Sequence, residues 1–244
     1  MAALVMLATI ATVVVNFLAA SGRINGVAPN VISDRYPTVI TPAGWTFSIW
    51  SLIYAGLIAF SIYQLLPSRM ARFAGVRLPY IVTCVLNCTW IVLWHHSYIG
   101  LSTVVIALLL ASLFWMNLSL EKPDSLAETT IAKGTFGLYA GWVTVATLVN
   151  LLVYLVSIGV EWTLVVWTVV GIACLALAAA AAIVVRIKLG NFIYPLAIAW
   201  AAAGIGANQS GKSTAIVVAT AIVCIGCLIV SGSVVTELRD STSE

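Results

Sequence analysis

Long apolar runs separated by short polar connectors dominate the chain, at roughly 2–20, 45–66, 79–97, 98–120, 134–156, 162–185, 191–208 and 213–233. A helix of such length crosses a hydrocarbon core of about 30 Å, so the pattern predicts eight transmembrane helices in an all-α polytopic membrane helix bundle. The run at 191–208 is short and rich in alanine. The connectors are brief except Ser21–Gly44, which carries Asn25, Gly26, Pro29, Pro37 and Pro42 and is long enough to fold back over the bundle as a lid. The first run has no basic segment before it, so it reads as a retained span rather than a cleaved signal peptide.

Polar and aromatic positions interrupt these runs with helical spacing in the second, third and fifth spans. Phe47, Trp50 and Tyr54 fall at i, i+3 and i+7; Asn87, Trp90 and Trp94 repeat that spacing; Tyr139, Trp142, Ala146 and Asn150 share a face. At about 1.5 Å rise per residue, all but Trp142 of Trp50, Tyr54, Trp90, Trp94, Trp142 and Asn150 lie between the midplane and the end that carries the long loop, with Trp142 near the middle. Brought together they would wall a pocket beneath Ser21–Gly44, suited to a flat, largely apolar ligand with a polar rim. The plainer alternative is an interfacial belt for Trp45, Trp94 and Trp162, near the span ends, and a helix–helix clamp for Asn87. The last three spans differ in texture. Ala178 to Ala182, Ala201 to Ala203, Gly204 and Gly206 are small residues that let membrane helices approach closely.

Composition agrees with the pattern: 62% of the 244 residues are hydrophobic, 8% are charged, and the mean hydropathy is +1.12. Soluble domains carry roughly 25% charged residues, so a soluble globule is excluded. A net charge of +3 is too small and too scattered for nucleic acid. Sorted by the predicted spans, Arg69, Arg72, Arg77, Lys122, Lys133, Arg186, Lys188 and Arg239 lie on one side, and only Arg23, Arg35 and Lys212 on the other. The positive-inside rule then makes both termini cytoplasmic and the long loop external. No Asp, Glu, Lys or Arg falls in a predicted span core, which argues against an ion-driven pump and leaves no evident acid–base pair for conventional catalysis.

Other signals are weaker in context. Gly206 to Ser213 match a phosphate-binding loop, but a membrane helix precedes them where that motif needs a strand, so a polar turn is the better account. His95 and His96 end the third span and could ligate haem iron, although paired histidines at an interface are usually just solvated. Cys224 and Cys227 have redox spacing but no acidic or histidine neighbours. All five cysteines sit in apolar runs, where they act as small hydrophobes.

Three motifs carry a family resemblance. The stretch Pro42 to Tyr54, with Trp45, Trp50 and Tyr54, resembles the second-helix signature of the tryptophan-rich sensory protein family, whose animal relatives are the translocator protein or peripheral benzodiazepine receptor. Leu86, Asn87 and Trp90 resemble its third-helix motif, and Ala140 to Asn150 its fifth-helix motif. The second-helix motif differs in having Ser48-Ile49 where the family has Gly-Pro. After Asn150 the cholesterol-type pattern is incomplete, Tyr154 being followed by Glu161 with no basic residue. The resemblance covers roughly 1–156. It implies a translocator-like five-helix bundle over 1–156; the apolar runs beyond it make 157–244 an added three-helix membrane segment with a short cytoplasmic tail, which has no counterpart in the five-helix pattern.

The expected function is an integral membrane binding protein, a sensor or carrier, for a lipophilic small molecule such as a porphyrin. Its expected contacts are Trp45, Phe47, Trp50, Tyr54, Asn87, Trp90, Trp94, Trp142, Ala146 and Asn150. No metal or cofactor is required beyond porphyrin or haem as ligand. Membrane lipid is an expected partner, and the resemblance also implies a homodimer. The alternatives are an enzyme that oxidises or degrades bound porphyrin, or a passive membrane scaffold.

Overall fold

A computed structural model describes the backbone of residues 1–240 and the side chains of residues 1–233. The side chain of Arg239 and the predicted tail beyond Asp240 lie outside these described residues. The described chain is helical: α1 (Ala2–Ala20), α2 (Pro29–Arg35), a 3-10 turn Gly44–Ser48 leading into α3 (Ile49–Tyr63), α4 (Arg77–His95) and α5 (Ile99–Ser119). Next come α6 (Leu126–Glu128), a π turn Thr129–Gly134, α7 (Thr135–Ser157), α8 (Leu164–Leu189), α9 (Ile193–Gln209) and α10 (Thr214–Asp240).

Seven of the eight predicted spans are helices long and apolar enough to cross a membrane. The chain is therefore a multi-pass integral membrane protein. The remaining predicted span is α9, 17 residues long, or about 26 Å at 1.5 Å per residue. It packs against α7, α8 and α10 and is buried along most of its length. An enclosed helix needs small residues more than lipid-facing bulk, which accounts for its alanine and glycine content.

Glycines decide how closely α9 approaches its neighbours. A Cβ on Gly204 would collide with the Thr46 side chain, and one on Gly141 would lie 2.8 Å from the Ala197 Cβ. Hydrogen bonds lock the same contacts. Trp200 Nε1 donates to the Thr46 carbonyl at 2.9 Å, the Ala43 amide donates to the Gly204 carbonyl at 3.0 Å, and the Tyr194 and Thr144 hydroxyls lie 2.6 Å apart. Ser231 of α10 donates to the Phe192 carbonyl at 2.7 Å. The three C-terminal helices thus pack into one bundle with α3 and α7.

The long loop folds back as its length predicts. Within α2, Ile32 and Ser33 are buried, and Trp94 Nε1 donates to the Pro29 carbonyl at 3.1 Å. The side-chain amides of Asn208 and Gln209 donate to the carbonyls of Thr41 and Thr38 at 2.9 and 3.3 Å. The loop therefore rests on α4 and α9 at one end of the bundle.

At the opposite end, the helix of the fifth predicted span begins earlier than its apolar run. The Ser125 hydroxyl caps it, accepting from the Glu128 amide at 3.2 Å, and α6 with the π turn carries it into α7. Glu128 is buried there between two arginines, with Arg72 Nε at 2.8 Å and Arg69 Nη1 at 3.1 Å. Arg69 also meets Asp124 at 2.6 Å, and Arg72 meets Glu121 at 2.9 Å. Burial of a carboxylate is tolerated because both charges opposite it donate hydrogen bonds.

Candidate functional site: an aromatic cavity beneath the loop

The helical spacing that aligns aromatic residues along α3, α4 and α7 also brings them into one cluster. Trp50 is its centre, stacked on Tyr54 with centroids 5.5 Å apart and on Trp90 at 5.8 Å. It meets Trp142 edge-on at 6.2 Å and Tyr139 at 5.8 Å. Phe47 packs edge-on against Trp142 at 5.9 Å, and Trp90 stacks on Trp94 at 6.3 Å. Offset stacking and edge contacts at such distances are the favoured arrangements for aromatic rings.

A small apolar cavity of about 30 Å³ lies within this cluster. Of the expected contacts, Phe47, Trp50, Trp90, Trp94, Trp142, Ala146 and Asn150 line it. Tyr54 stands behind Trp50 and does not line it. Asn150 Oδ1 accepts from Trp90 Nε1 at 3.3 Å and from the Ser102 hydroxyl at 3.4 Å, so the amide orients an indole of the wall.

Two expected contacts stand elsewhere. Asn87 is fully buried, accepting from Asn16 Nδ2 at 2.6 Å and donating to the Tyr139 hydroxyl at 2.8 Å. It clamps α1, α4 and α7 together. Trp45 is 49% exposed and packs edge-on against Trp200 of α9 at 4.9 Å. Five residues turn an α-helix by about 140° beyond a full turn, and the 3-10 start winds more tightly still, so Trp45 and Trp50 cannot share a face.

Neither histidine lines the cavity. His95 is buried with Nδ1 2.8 Å from the Ile91 carbonyl, and its own carbonyl accepts from Asn25 Nδ2 at 2.8 Å. His96 is exposed and paired with the Val92 carbonyl of its own helix. Among the described residues no group of three or more histidine, cysteine or acidic side chains converges as a metal site. Gly206 to Gln209 form the last turn of α9, and Lys212 Nζ donates to Asn208 Oδ1 at 3.1 Å, so this segment is a polar turn and not a phosphate cradle.

The cavity also gains walls that the aromatic pattern does not contain: Ser33 and Pro42 from the loop, and Val145 and Val149 from α7. The valines are legible after the fact, since they follow Trp142 at i+3 and i+7. Ser33 carries no sequence signal, because its place depends on how the loop folds back. Two wall groups are buried without a hydrogen-bond partner, Ser33 Oγ and Trp142 Nε1. Such orphaned groups are uncommon in interiors.

A larger groove of about 760 Å³ lies between α3, the π turn and α9, lined by apolar residues including Leu52, Leu138, Leu196 and Trp200. Leu52 is 62% exposed there, so the groove opens sideways toward the hydrocarbon of the bilayer. Among the described residues no orphaned polar group lines it.

Fold and site define an integral membrane helix bundle whose loop-covered end encloses an aromatic, uncharged cavity. The family model for TSPO-like proteins matches residues 2–234, and the chain belongs to that family. The match runs past residue 156 through α8 and α9 and into α10, so the C-terminal helices fall inside the matched region. Membership supports the broad class of membrane-bound ligand-binding or translocator proteins. Neither the curated proteins nor the solved structures gave a match.

Proposed function

We propose that this protein binds a flat, lipophilic ligand of the tetrapyrrole class in the aromatic cavity of α3, α4 and α7, as a sensor or carrier. The observation that carries the reading is the pair of buried, unpartnered groups, Ser33 Oγ and Trp142 Nε1, on a cavity otherwise walled by indole and phenyl rings, small aliphatic side chains and one amide. A ligand offering π surface to the rings and acceptor atoms at its edge would satisfy both donors. The walls hold no charged side chain, so carboxylate groups on such a ligand would have to point toward the loop and solvent.

Ligands of drug size occupy roughly 300 Å³ or more, whereas the cavity holds about 30 Å³. Binding therefore requires the cavity to open, and the loop is the part that can move without breaking a membrane helix. Titration of the purified protein with protoporphyrin, following tryptophan emission, tests the reading. Saturable quenching is expected, weakened about fivefold by Trp142→Phe and by Ser33→Ala, each removing one donor of about 1 kcal/mol. Absence of saturable quenching would mean that the aromatic cluster is simply core.

A further inference from the structure

Another pocket lies at the end of the bundle opposite the aromatic cavity. It has a volume of about 540 Å³ and sits where the end of α5, the start of the α7 helix and the α8–α9 turn meet. Lys122, Lys133 and Lys188 line it together with one carboxylate, Glu121. That carboxylate is already engaged by Arg72 at 2.9 Å. None of the three lysines has an ion-pair partner among the described residues. Three lysine charges therefore converge where the one lining carboxylate among the described residues is already paired with Arg72.

The floor is neutral and committed elsewhere. Asn191 Nδ2 donates to the Lys133 carbonyl at 2.8 Å and to Asn117 Oδ1 at 3.4 Å. Asn117 Nδ2 donates to the carbonyls of Leu113 and Phe136 at 2.8 and 3.2 Å. These bonds hold α5, α7 and α9 in register and leave the lysine ammonium groups as the uncommitted donors. Lys133 is half-buried, and its ammonium lies over Gly190, where a Cβ would come within 3.3 Å. Gly190 ends α8 in the left-handed conformation, with φ +59. A glycine here both closes the helix and leaves room for the lysine. Exposed apolar residues flank the pocket, Leu118 at 68% and Ile187 at 71% exposure, which places it at the boundary between hydrocarbon and the polar phase.

We propose that this pocket binds a phosphate-bearing anion, held by Lys122, Lys133 and Lys188. Lysine is a compact charge with three donors and suits phosphate as a point cation. Its boundary position makes an anionic phospholipid headgroup the favoured source, with a free phosphate compound as the other.

The test uses the full chain in nanodiscs of phosphatidylcholine containing a minor fraction of phosphatidylglycerol, with retained lipid read by native mass spectrometry. Preferential retention of phosphatidylglycerol is expected. The loss is about fivefold for each lysine removed and roughly thirtyfold for Lys133→Met with Lys188→Met, from the usual contribution of a basic residue near an anionic surface. Lys212→Met, at the loop end, should leave retention unchanged. If the double variant fails to fold, the exposed single changes Lys122→Met and Lys188→Met read the same effect. In a second arm, inorganic pyrophosphate is added to phosphatidylcholine nanodiscs. A rise in the wild-type unfolding midpoint that the lysine variants lack, without lipid preference, supports the site and assigns it to a soluble phosphate. Equal retention of both lipids with no pyrophosphate effect overturns the proposal, as does a response that the lysine changes leave intact.

Discussion

The loop over the aromatic cavity is held by five hydrogen bonds that can be counted and cut. They run from Asn25 Nδ2 to the His95 carbonyl, from Trp94 Nε1 to the Pro29 carbonyl, from the Ala43 amide to the Gly204 carbonyl, and from the side-chain amides of Asn208 and Gln209 to the carbonyls of Thr41 and Thr38. At about 1 kcal/mol net for each, opening all of them costs about 5 kcal/mol, which leaves the open form at roughly one molecule in five thousand. A ligand that binds only the open form has its affinity reduced by the same factor. Asn208→Ala is the clean perturbation, because Asn208 is half-exposed, does not line the cavity and reaches the loop through one bond of 2.9 Å. Its removal should raise the open fraction about fivefold. The bound state has already broken this bond, so the gain should appear in the association rate while dissociation stays unchanged. Stopped-flow quenching of tryptophan emission by protoporphyrin measures both rates. An association rate that is unchanged or slower in Asn208→Ala, with binding still saturable, refutes loop opening as the limiting step.

Three further expectations address the bundle. Asn87→Leu removes the clamp to Asn16 and Tyr139 and should lower stability by about 1–2 kcal/mol, read as unfolding in detergent, while protoporphyrin affinity shifts by about twofold or less. Gly204→Ala forces a methyl against Thr46 and should cost about 1–3 kcal/mol through overpacking, visible as a lowered thermal midpoint. Arg69, through its hydrogen bonds and charge, lowers the Asp124 carboxyl from its ordinary value to about 2. A depressed folded-state pKa means this contribution is present above about pH 4 and is lost as pH falls toward about 2. Asp124→Asn should flatten that part of the acid-stability profile, and an unchanged profile would remove the pair from the account.

How much of this was legible in the chain depends on the range of the interaction involved. Hydropathy and helical period are local properties, readable within one run, and they marked the helices and aligned Trp50, Trp90, Trp142 and Asn150 on faces that meet. Spacing alone could also have excluded Trp45, since the angle between positions 45 and 50 is fixed by the helix. Asn87 was ambiguous because an amide buried among helices satisfies itself through whichever neighbour arrives, and only the packing of α1 and α7 supplied Asn16 and Tyr139.

The sequence by itself determined a polytopic helical membrane protein, its aromatic faces, its long loop and the clustering of basic residues at one end. Tertiary structure decided the rest. Trp200 reaches Thr46 across 154 positions and Asn208 reaches Thr41 across 167, and these contacts seat the loop, bring Ser33 to the cavity wall and close the cavity to about 30 Å³. Packing likewise gathered Lys122, Lys133 and Lys188 around one pocket. The physical reason is that a bilayer rewards any sufficiently apolar helix for inserting but says little about its neighbours. Partners and rotations are selected by close approach at small residues and by the need of each buried polar group for a partner, and neither is visible within a single run.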